Sequence, residues 1–388
     1  MLRIKMYPAG NGDAFLISAA GTNILVDGGY AHTFDEHIMS DLLSISSKSE
    51  CLDLVIASHI DADHISGLIQ FLSVNGSSSA PKVVPIGAIW HNSLRCLTAQ
   101  NQNKPQSADQ AILDAICRRG HLQHSVVGAT EISARQGSSF ASLIYRGGYQ
   151  WNGHDGTASI SVGSAPVIDI PGGHIRVIAP SQERLDGLLK WWQRELRKIG
   201  YRGPMGTDDI IDDAFEFMCE HSGDSSVSRP SLLSAGYKSL EEVYDPDASI
   251  TNGSSIATIV ELGGVRILML ADAWAEDLVK TLRSLQSQGC SMIFDAIKIS
   301  HHGSLHNTSP EFLQLVDAPR YFVSSNGAKH DHPDIEVLTA IIDRPAPFSR
   351  TLYFNYSTKA SNLLQNYRSK NNVPFNINDA AMDWIEIQ

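Results

Sequence analysis

The sequence predicts an α+β fold, an αβ/βα sandwich in which two facing mixed β-sheets carry helices on their outer sides. Strand-like apolar runs fall into two groups separated by a long helix-rich stretch, and many of them are joined by tight turns rather than by strict strand–helix alternation. With 43% hydrophobic residues, a chain of 388 residues can form a core between two sheets. We therefore expect one domain over 1–388, with insertions at 98–173 and 203–249.

The first group of strands lies in the N-terminal quarter of the chain. Apolar runs bounded by Gly and Asp-Gly turns predict each strand, and apolar residues at helical spacing predict helices over 37–45 and 65–72. The predicted strands are Leu2–Tyr7, Ala14–Ser18, Asn23–Val26, Leu52–Ala57 and Pro85–Trp90.

The second group follows after the pattern has weakened into helices over 109–119 and 129–145. A strong amphipathic helix over Gln182–Ile199 contains Trp191 and Trp192 among cations. This pattern is typical of single-strand nucleic-acid binders, but an amphipathic helix that buries its Trp residues explains the same residues better. The acidic and Ser-rich residues 203–249 predict a surface insertion or mobile flap. The predicted strands are Ile175–Ala179, Ile256–Glu261, Val265–Leu270, Ala296–Ser300 and Tyr321–Ser324.

Charge and composition exclude several classes of protein. Thirty basic and 42 acidic side chains give a formal charge of -12, so any contact with a polyanion must be local. The five cysteines contain no CxxC pair, which argues against a disulfide framework or a thiolate zinc site. No signal-peptide pattern opens the chain, and no stretch approaches the roughly 18 apolar residues of a membrane span. We expect a cytoplasmic protein without a membrane partner.

A cluster of metal-binding side chains follows the predicted strand Leu52–Ala57. Four possible ligands lie within six consecutive positions: His59, Asp61, Asp63 and His64. A loop that leaves a strand and enters a helix can direct such side chains at one point, and two imidazoles with two carboxylates suit divalent cations. A helix start rich in Asp is the alternative, because Asp63 alone fits an N-cap.

This run resembles the HxHxDH signature of the metallo-β-lactamase fold superfamily, with Asp61 in place of the second histidine. The motif set is most similar to that of the nuclease domain of ComEC competence proteins, and it extends over residues 10–333. The other motifs are Gly10–Asp13, Asp27-Gly28-Gly29, Asn252–Ser255, Ala271-Asp272, Lys298–Ser304, the pair Ser324 and Gly327, and His332-Pro333.

The resemblance implies a hydrolase with two divalent metal ions. His59 and Asp61 would bind one ion and Asp63 and His64 the other, with Asp272 bridging them. A hydroxide held between two such cations is a nucleophile at neutral pH. The presence of Asp61 shifts the site toward oxygen ligation, which favours manganese or magnesium, while zinc stays possible.

The rest of the ligand shell is less determined. His301 or His302 would complete it, and the sequence does not distinguish the two. The histidine that usually stands between the HxHxDH loop and the bridging Asp has no clear counterpart, and His91 and His174 are both candidates. We expect Asp27 to orient a ligand histidine, with a plain turn residue as the alternative.

Several side chains are candidates for contact with substrate. Asp63, Lys329 and His332 are the candidate catalytic residues, since a lysine or histidine could protonate a leaving oxygen. The candidate substrate-binding residues are Lys298, Ser255, Lys329 and His330.

The fold alone does not select the reaction. The ComEC-like motifs imply a phosphodiesterase or nuclease, with single-stranded DNA as the favoured partner. The alternatives are a hydrolase of a small phosphodiester or ester, such as a cyclic nucleotide or a lactone, and a regulatory module without catalysis.

Overall fold

Two large β-sheets face each other, one of six strands and one of eight. This arrangement confirms the predicted α+β sandwich. The computed structural model describes residues 1–98, 109–117, 139–164, 167–203, 209–219, 238–329 and 331–388.

The six-stranded sheet has the order β16-β1-β2-β3-β4-β7. Its strands pair antiparallel from β16 to β3, and β3, β4 and β7 are parallel. The bounds are β1 (Leu2–Met6), β2 (Phe15–Ala19), β3 (Thr22–Val26), β4 (Leu52–Ile56), β7 (Ile86–Trp90) and β16 (Ile385–Ile387).

The eight-stranded sheet has the order β15-β14-β13-β12-β11-β10-β9-β8. It is antiparallel from β8 to β11 and parallel from β11 to β15. Its strands are β8 (Val167–Ile170), β9 (Gly173–Ala179), β10 (Ala257–Leu262), β11 (Val265–Met269), β12 (Ala296–Lys298), β13 (Arg320–Val323), β14 (Arg350–Phe354) and β15 (Phe375–Asn378). A small hairpin pairs β5 (Gly76–Ser77) with β6 (Ala80–Pro81).

Apolar side chains fill the space between the sheets. Alternate residues of β1 point inward and are buried, as the two-residue period of a strand requires. Phe15 of the first sheet meets Phe322 of the second edge to face, with ring centroids 6.2 Å apart. Two further apolar clusters lie under the helices on the outer side of each sheet, so the molecule has four layers.

The helices cover these outer faces. They are α1 (Met39–Ser47), α2 (Ala62–Asn75), α3 (Leu94–Thr98), α4 (Phe140–Gly147), α5 (Gln182–Lys198), α6 (Asp209–Cys219), α7 (Leu240–Val243), α8 (Ile250–Gly253), α9 (Ala275–Ser287), α10 (Pro310–Leu315), α11 (Ile335–Asp343) and α12 (Lys359–Leu364). Helical turns at Ala31–Thr33 and Phe34–Ile38 precede α1, and residues 109–117 are also helical. The described helices do not include one that is both long enough and apolar enough to cross a bilayer.

Helix α6 corrects the expectation of a surface flap over 203–249. Ile211, Ala214 and Phe215 are fully buried, and the Phe215 ring packs edge-on against Trp192 of α5 at 5.2 Å. Apolar residues at helical spacing therefore outweigh the acidic run in deciding where this segment packs. Trp192 is itself fully buried, so burial explains the Trp pattern of α5. Residues 204–208 and 220–237 lie outside the described residues.

The parallel strands bring the candidate motifs to one place. β3 and β4 are parallel, as are β11, β12 and β13. Parallel strands end at the same edge of a sheet, and ligand sites in α/β sheets gather beyond those carboxyl ends. Asp27, His59, Asp272 and His301 each follow one of these strands within three residues.

Candidate metal centre

The loop between β4 and α2 presents the four candidate ligands of the sequence motif. Asp61 occupies the N-cap position of α2, yet its side chain makes no capping hydrogen bond. Asp63 and His64 lie in the first turn, so Asp63 is not the N-cap. The Asp61 carboxylate is therefore available for another partner.

Asp272 is the point on which the imidazoles converge. Its Oδ2 lies 3.5 Å from Nε2 of His64, 3.6 Å from Nε2 of His302, 3.7 Å from Nε2 of His301 and 3.9 Å from Nε2 of His59. These distances are too long for hydrogen bonds. They match the separation, on the order of 3 to 4 Å, of two donors that share an ion at about 2.1 Å.

Each of these imidazoles is held through its other ring nitrogen. Nδ1 of His64 lies 2.9 Å from Oδ2 of Asp27, Nδ1 of His301 lies 2.7 Å from Oδ1 of Asn307, and Nδ1 of His302 lies 2.9 Å from the carbonyl oxygen of Ser324. His59 lies 3.1 Å through Nδ1 from the Ser58 hydroxyl, which itself donates to Asp27. An acceptor at Nδ1 keeps the proton there and leaves the Nε2 lone pair free to bind a metal.

The histidine doublet after β12 contributes both of its side chains. His301 and His302 have φ angles of 43° and 55°, in the left-handed region that such residues rarely adopt. This backbone turns both imidazoles toward Asp272. The sequence does not distinguish His301 from His302 as a ligand. In the structure both imidazoles lie near Asp272, so both are candidate ligands.

The unpaired polar atoms of the cluster fit divalent cations. Nε2 of His59, His64 and His302 is buried without a hydrogen-bond partner, as is Oδ1 of Asp61. Buried polar atoms without a partner are costly unless something binds them. Compact groups of ligand atoms occur here, among them His59, His64 and Asp272 together, and Asp63, His64 and His302 together.

The charges of the cluster fit divalent cations. Five carboxylates touch the cluster directly, and one buried ammonium, that of Lys298, accompanies them. If the imidazoles are counted as neutral, four negative charges are left, which divalent cations would offset. The five carboxylates are those of Asp13, Asp27, Asp61, Asp63 and Asp272.

The pKa values of the cluster residues are shifted by burial and by the charges of their neighbours. Burial alone would raise the pKa of Asp272, but the imidazoles of His302, His64 and His301 hold it well below its usual range. Burial would lower the pKa of His64, but Asp272 and Asp27 raise it well above its ordinary value. The same competition, with Asp272 and Asp247 as the acids, raises the pKa of His301. The carboxylates thus favour positive charge among the imidazoles.

Two glycines allow the surrounding loops to approach α2. A Cβ on Gly12 would lie 1.8 Å from the Asp63 carbonyl oxygen, and one on Gly67 would lie 1.9 Å from the Gly28 carbonyl oxygen. Only a residue without a side chain fits at either position. This packing places Asn11, whose Nδ2 donates to Oδ2 of Asp63 at 2.6 Å.

Sequence reasoning missed three residues that contact the cluster. Asn11 holds Asp63, Asn307 holds His301, and Asp13 lies against Lys298 and 3.4 Å from Nδ1 of His302. Gly10–Asp13 was recognised as a motif, which is a signal for Asn11 and Asp13. Asn307 stands three residues after the Gly303-Ser304 turn, and its residue type alone gives no signal.

Two candidate substrate-binding residues lie elsewhere than expected. Lys298 is 1% exposed, because the inward face of a strand between two sheets excludes water from it. Ser255 is fully buried, and its hydroxyl has no hydrogen-bond partner. Neither side chain reaches the solvent, so both expectations are corrected.

The remaining candidates lie on the rim of the cluster or outside the described residues. The His332 ring lies 5.4 Å from that of His301, with Nδ1 3.3 Å from Oδ2 of Asp334. Lys329 is exposed in the same loop. His330 lies outside the described residues.

Neither candidate for the missing histidine joins the cluster. His174 lies at the far end of β9 from the centre, beside Glu261, with Nε2 3.4 Å from Oε2. His91 is fully buried and binds Glu216, with Nε2 2.7 Å from Oε1. His301 is the imidazole that the structure offers in their place.

Part of the chain matches a known protein family. Residues 7–122, which include the loop of His59–His64, match the family model of the metallo-beta-lactamase superfamily. No curated protein matches the chain. Similar solved structures include the metallo-beta-lactamase fold protein YhfI from Bacillus subtilis and Igni18, a metallo hydrolase from the archaeon Ignicoccus hospitalis; each has 11% identity and a TM-score of 0.37, with 100% of both chains covered.

The match contains the metal-binding loop, and the two facing sheets place that loop opposite Asp272 and the histidine doublet. Residues 7–122 are therefore similar to the metallo-beta-lactamase superfamily, and the two facing sheets with helices on their outer sides form an αβ/βα sandwich.

Proposed function

We propose that this protein is a metal-dependent phosphodiesterase that cleaves DNA. The observation that carries the proposal is the convergence of four imidazole Nε2 atoms on a single carboxylate oxygen of Asp272, each within 3.9 Å. Three of these Nε2 atoms, those of His59, His64 and His302, are buried without a hydrogen-bond partner, which is costly unless a cation binds them.

The ligands divide into two groups around Asp272. His59 and Asp61 form one group, with Nε2 of His59 3.6 Å from Oδ2 of Asp61, and His301 lies with His302 beside Asp272. Asp63, His64 and His302 form the other. Two divalent cations in such a site lower the pKa of a bound water and neutralise charge on a phosphoryl oxygen. Manganese fits the mixed carboxylate and imidazole donors, and zinc fits them as well.

The protein side chains keep this arrangement in order. Asp27 and Asn307 fix the tautomers of His64 and His301, and Asn11 holds one oxygen of Asp63. His332 lies beside His301 at the rim, where an imidazole can pass a proton to a leaving oxygen. Lys329, exposed in the same loop, would contact a substrate phosphate.

The choice of DNA rests on the motif set. The HxDxDH run, the histidine doublet and the Gly10–Asp13 turn together resemble the ComEC-type nuclease domain, and Asn11, Asp13, His301 and His302 all lie in or against the metal cluster. The residues that define the resemblance are therefore those that surround the proposed ions. A small phosphodiester is the alternative substrate.

A nuclease assay tests the proposal. The purified protein is incubated with labelled single-stranded DNA and Mn²⁺, beside Asp63→Ala and His64→Ala. His154 is exposed and belongs to none of the groups of possible metal ligands, so His154→Ala is a matched control. We expect the wild type and the control to degrade the DNA, and the two ligand variants to lose at least 100-fold in rate, since each removes a metal ligand.

Other outcomes distinguish the alternatives. Cleavage of bis-p-nitrophenyl phosphate or a cyclic nucleotide without cleavage of DNA would replace the nuclease with a small-substrate enzyme. Bound metal without hydrolysis of either substrate would favour a regulatory module. Less than one bound ion per chain would contradict the two-metal centre.

A further inference from the structure

Lys298 is a cation buried directly beside the proposed metal centre. Its side chain is 1% exposed, and its ammonium contacts Oδ2 of Asp13 and donates to the carbonyl oxygen of Ala271 at 3.0 Å. The third neighbour of the ammonium is Oδ1 of Asp272, at 3.8 Å. A buried lysine is rare unless it is paired, and here it is paired with a residue that touches the centre.

The two oxygens of Asp272 face different partners. Oδ2 faces the Nε2 atoms of the four histidines, whereas Oδ1 faces Lys298. Asp13 stands behind the lysine, is 2% exposed, and lies 3.4 Å through Oδ1 from Nδ1 of His302. The ammonium is thus fixed from behind by one carboxylate while it faces the other.

We propose that Lys298, held by Asp13, is a positioning residue that fixes the orientation of Asp272, so that this carboxylate offers only Oδ2 to the metals. The inference rests on the metal centre proposed above. It assigns Lys298 to the centre itself rather than to the substrate.

Two other roles for the lysine give different results. If Lys298 acted on the metals only through its charge, its removal would strengthen metal binding, because a positive charge near the site repels cations. If Lys298 served only to stabilise the fold by pairing with Asp13, a variant would lose metal affinity only when it also lost stability. A positioning role requires that loss of the lysine weakens metal binding even where stability is retained.

Three variants separate these roles. Lys298→Met removes the cation and keeps a side chain of similar length. Asp13→Asn with Lys298→Met removes both members of the pair, so that no uncompensated charge stays buried behind the site. Arg350→Met is the matched control. Arg350, the first residue of β14, is a fully buried cation paired with Asp317. Its loss should lower the stability of the fold without touching the metal centre.

The readouts are Mn²⁺ affinity and stoichiometry by calorimetric titration, and the thermal midpoint of the metal-free protein. We expect Lys298→Met to weaken binding of at least one ion by about 10- to 100-fold. The double variant should regain much of the thermal midpoint while its affinity stays low. Arg350→Met should lower the midpoint and leave the affinity unchanged.

Manganese binding by Lys298→Met as tight as in the wild type, or tighter, would overturn the inference. Recovery of both affinity and midpoint in the double variant would overturn it as well, because the lysine would then act only through the fold. If Lys298→Met does not fold, the double variant alone decides. A wild type that takes up no metal would overturn the proposed centre, which is a different result.

Discussion

Asp27 and His64 are joined by a hydrogen bond of 2.9 Å between Oδ2 and Nδ1. Asp27 also accepts from the backbone N–H and the hydroxyl of Ser58, each at 2.7 Å. The carboxylate therefore belongs to the turn after β3 and fixes an imidazole in the first turn of α2. Nε2 of His64 then faces Asp272, 3.5 Å from Oδ2.

Asp27→Asn should weaken metal binding by about 10- to 100-fold, because an amide N–H placed against Nδ1 reverses the tautomer and puts a proton on Nε2. Titration with Mn²⁺ measures the change. Asp383→Asn, at an exposed position, is the control and should bind Mn²⁺ as the wild type does. Unchanged Mn²⁺ affinity in Asp27→Asn would contradict the role of the tautomer.

Asn307 should act on His301 in the same way. Its Oδ1 accepts from Nδ1 of the imidazole, and its Nδ2 donates to Asp247 and to the carbonyl oxygen of Asp272. Asn307→Ala should lower the rate of phosphodiester cleavage by about tenfold or more, because His301 loses the acceptor that fixes its ring. The measurement is kcat/KM with bis-p-nitrophenyl phosphate.

Asn366→Ala controls for this substitution, since Asn366 is exposed beyond α12. Unchanged kcat/KM in Asn307→Ala would show that His301 does not depend on this bond. If activity fell while the metal content stayed unchanged, Asn307 would affect substrate binding or turnover rather than metal binding.

The sequence could predict the sandwich and the main ligand candidates because the patterns that indicate them lie within short segments of the chain. The apolar runs of β4 and β11 are visible without the structure, and His59–His64 share one loop. Strands β14, β15 and β16 are not predicted, because their short and partly polar runs do not differ from those of loops.

Contacts between distant segments were beyond sequence reasoning. The Asp13 to Lys298 pair joins residues 285 positions apart, and a strand lysine ordinarily points to water. Whether it points inward depends on the packing of the two sheets. The same holds for His91, which ends a strand on the expected edge but binds Glu216, a residue of a helix that was expected to lie in a surface flap.

A buried ion pair far from the centre predicts the acid stability of the protein. Burial would raise the pKa of Asp317, but hydrogen bonding to Arg350 and the charge of Arg344 lower it. A lowered folded pKa means that the carboxylate stabilises the fold above its unfolded pKa of about 4 and that this contribution is lost as the pH falls below 4. The contribution is therefore complete at pH 7.

Asp317→Asn should lower the free energy of unfolding at pH 7 by about 3 to 5 kcal/mol, because Arg350 is left buried without its partner. The difference from the wild type should shrink as the pH falls from 4 to 3. Urea denaturation at several pH values measures it. Asp383→Asn, at an exposed position, should change stability by less than about 0.5 kcal/mol. A difference that is constant with pH would contradict the pairing.

The contacts of His91 predict a structural role for a histidine that sequence reasoning considered as a ligand. Glu216 accepts from Nε2 of His91 at 2.7 Å and from the backbone N–H groups of Phe140 and Ala141 at 2.6 and 3.1 Å. The carboxylate thus joins the end of β7 to the start of α4. Loss of the imidazole leaves part of a buried carboxylate without a partner.

His91→Phe should therefore lower the free energy of unfolding by about 1.5 to 3 kcal/mol, the worth of a hydrogen bond to a charged group, and should leave the metal content at the wild-type value. His91→Gln retains a donor and should lose less stability. His59→Ala makes the opposite comparison, because it removes a side chain from the metal cluster and should lower the metal content. Elemental analysis and urea denaturation of the three variants measure both quantities. If His91→Phe lost metal while its stability stayed unchanged, His91 would be a metal ligand. Only direct contact with an ion would lower the metal content without lowering the free energy of unfolding.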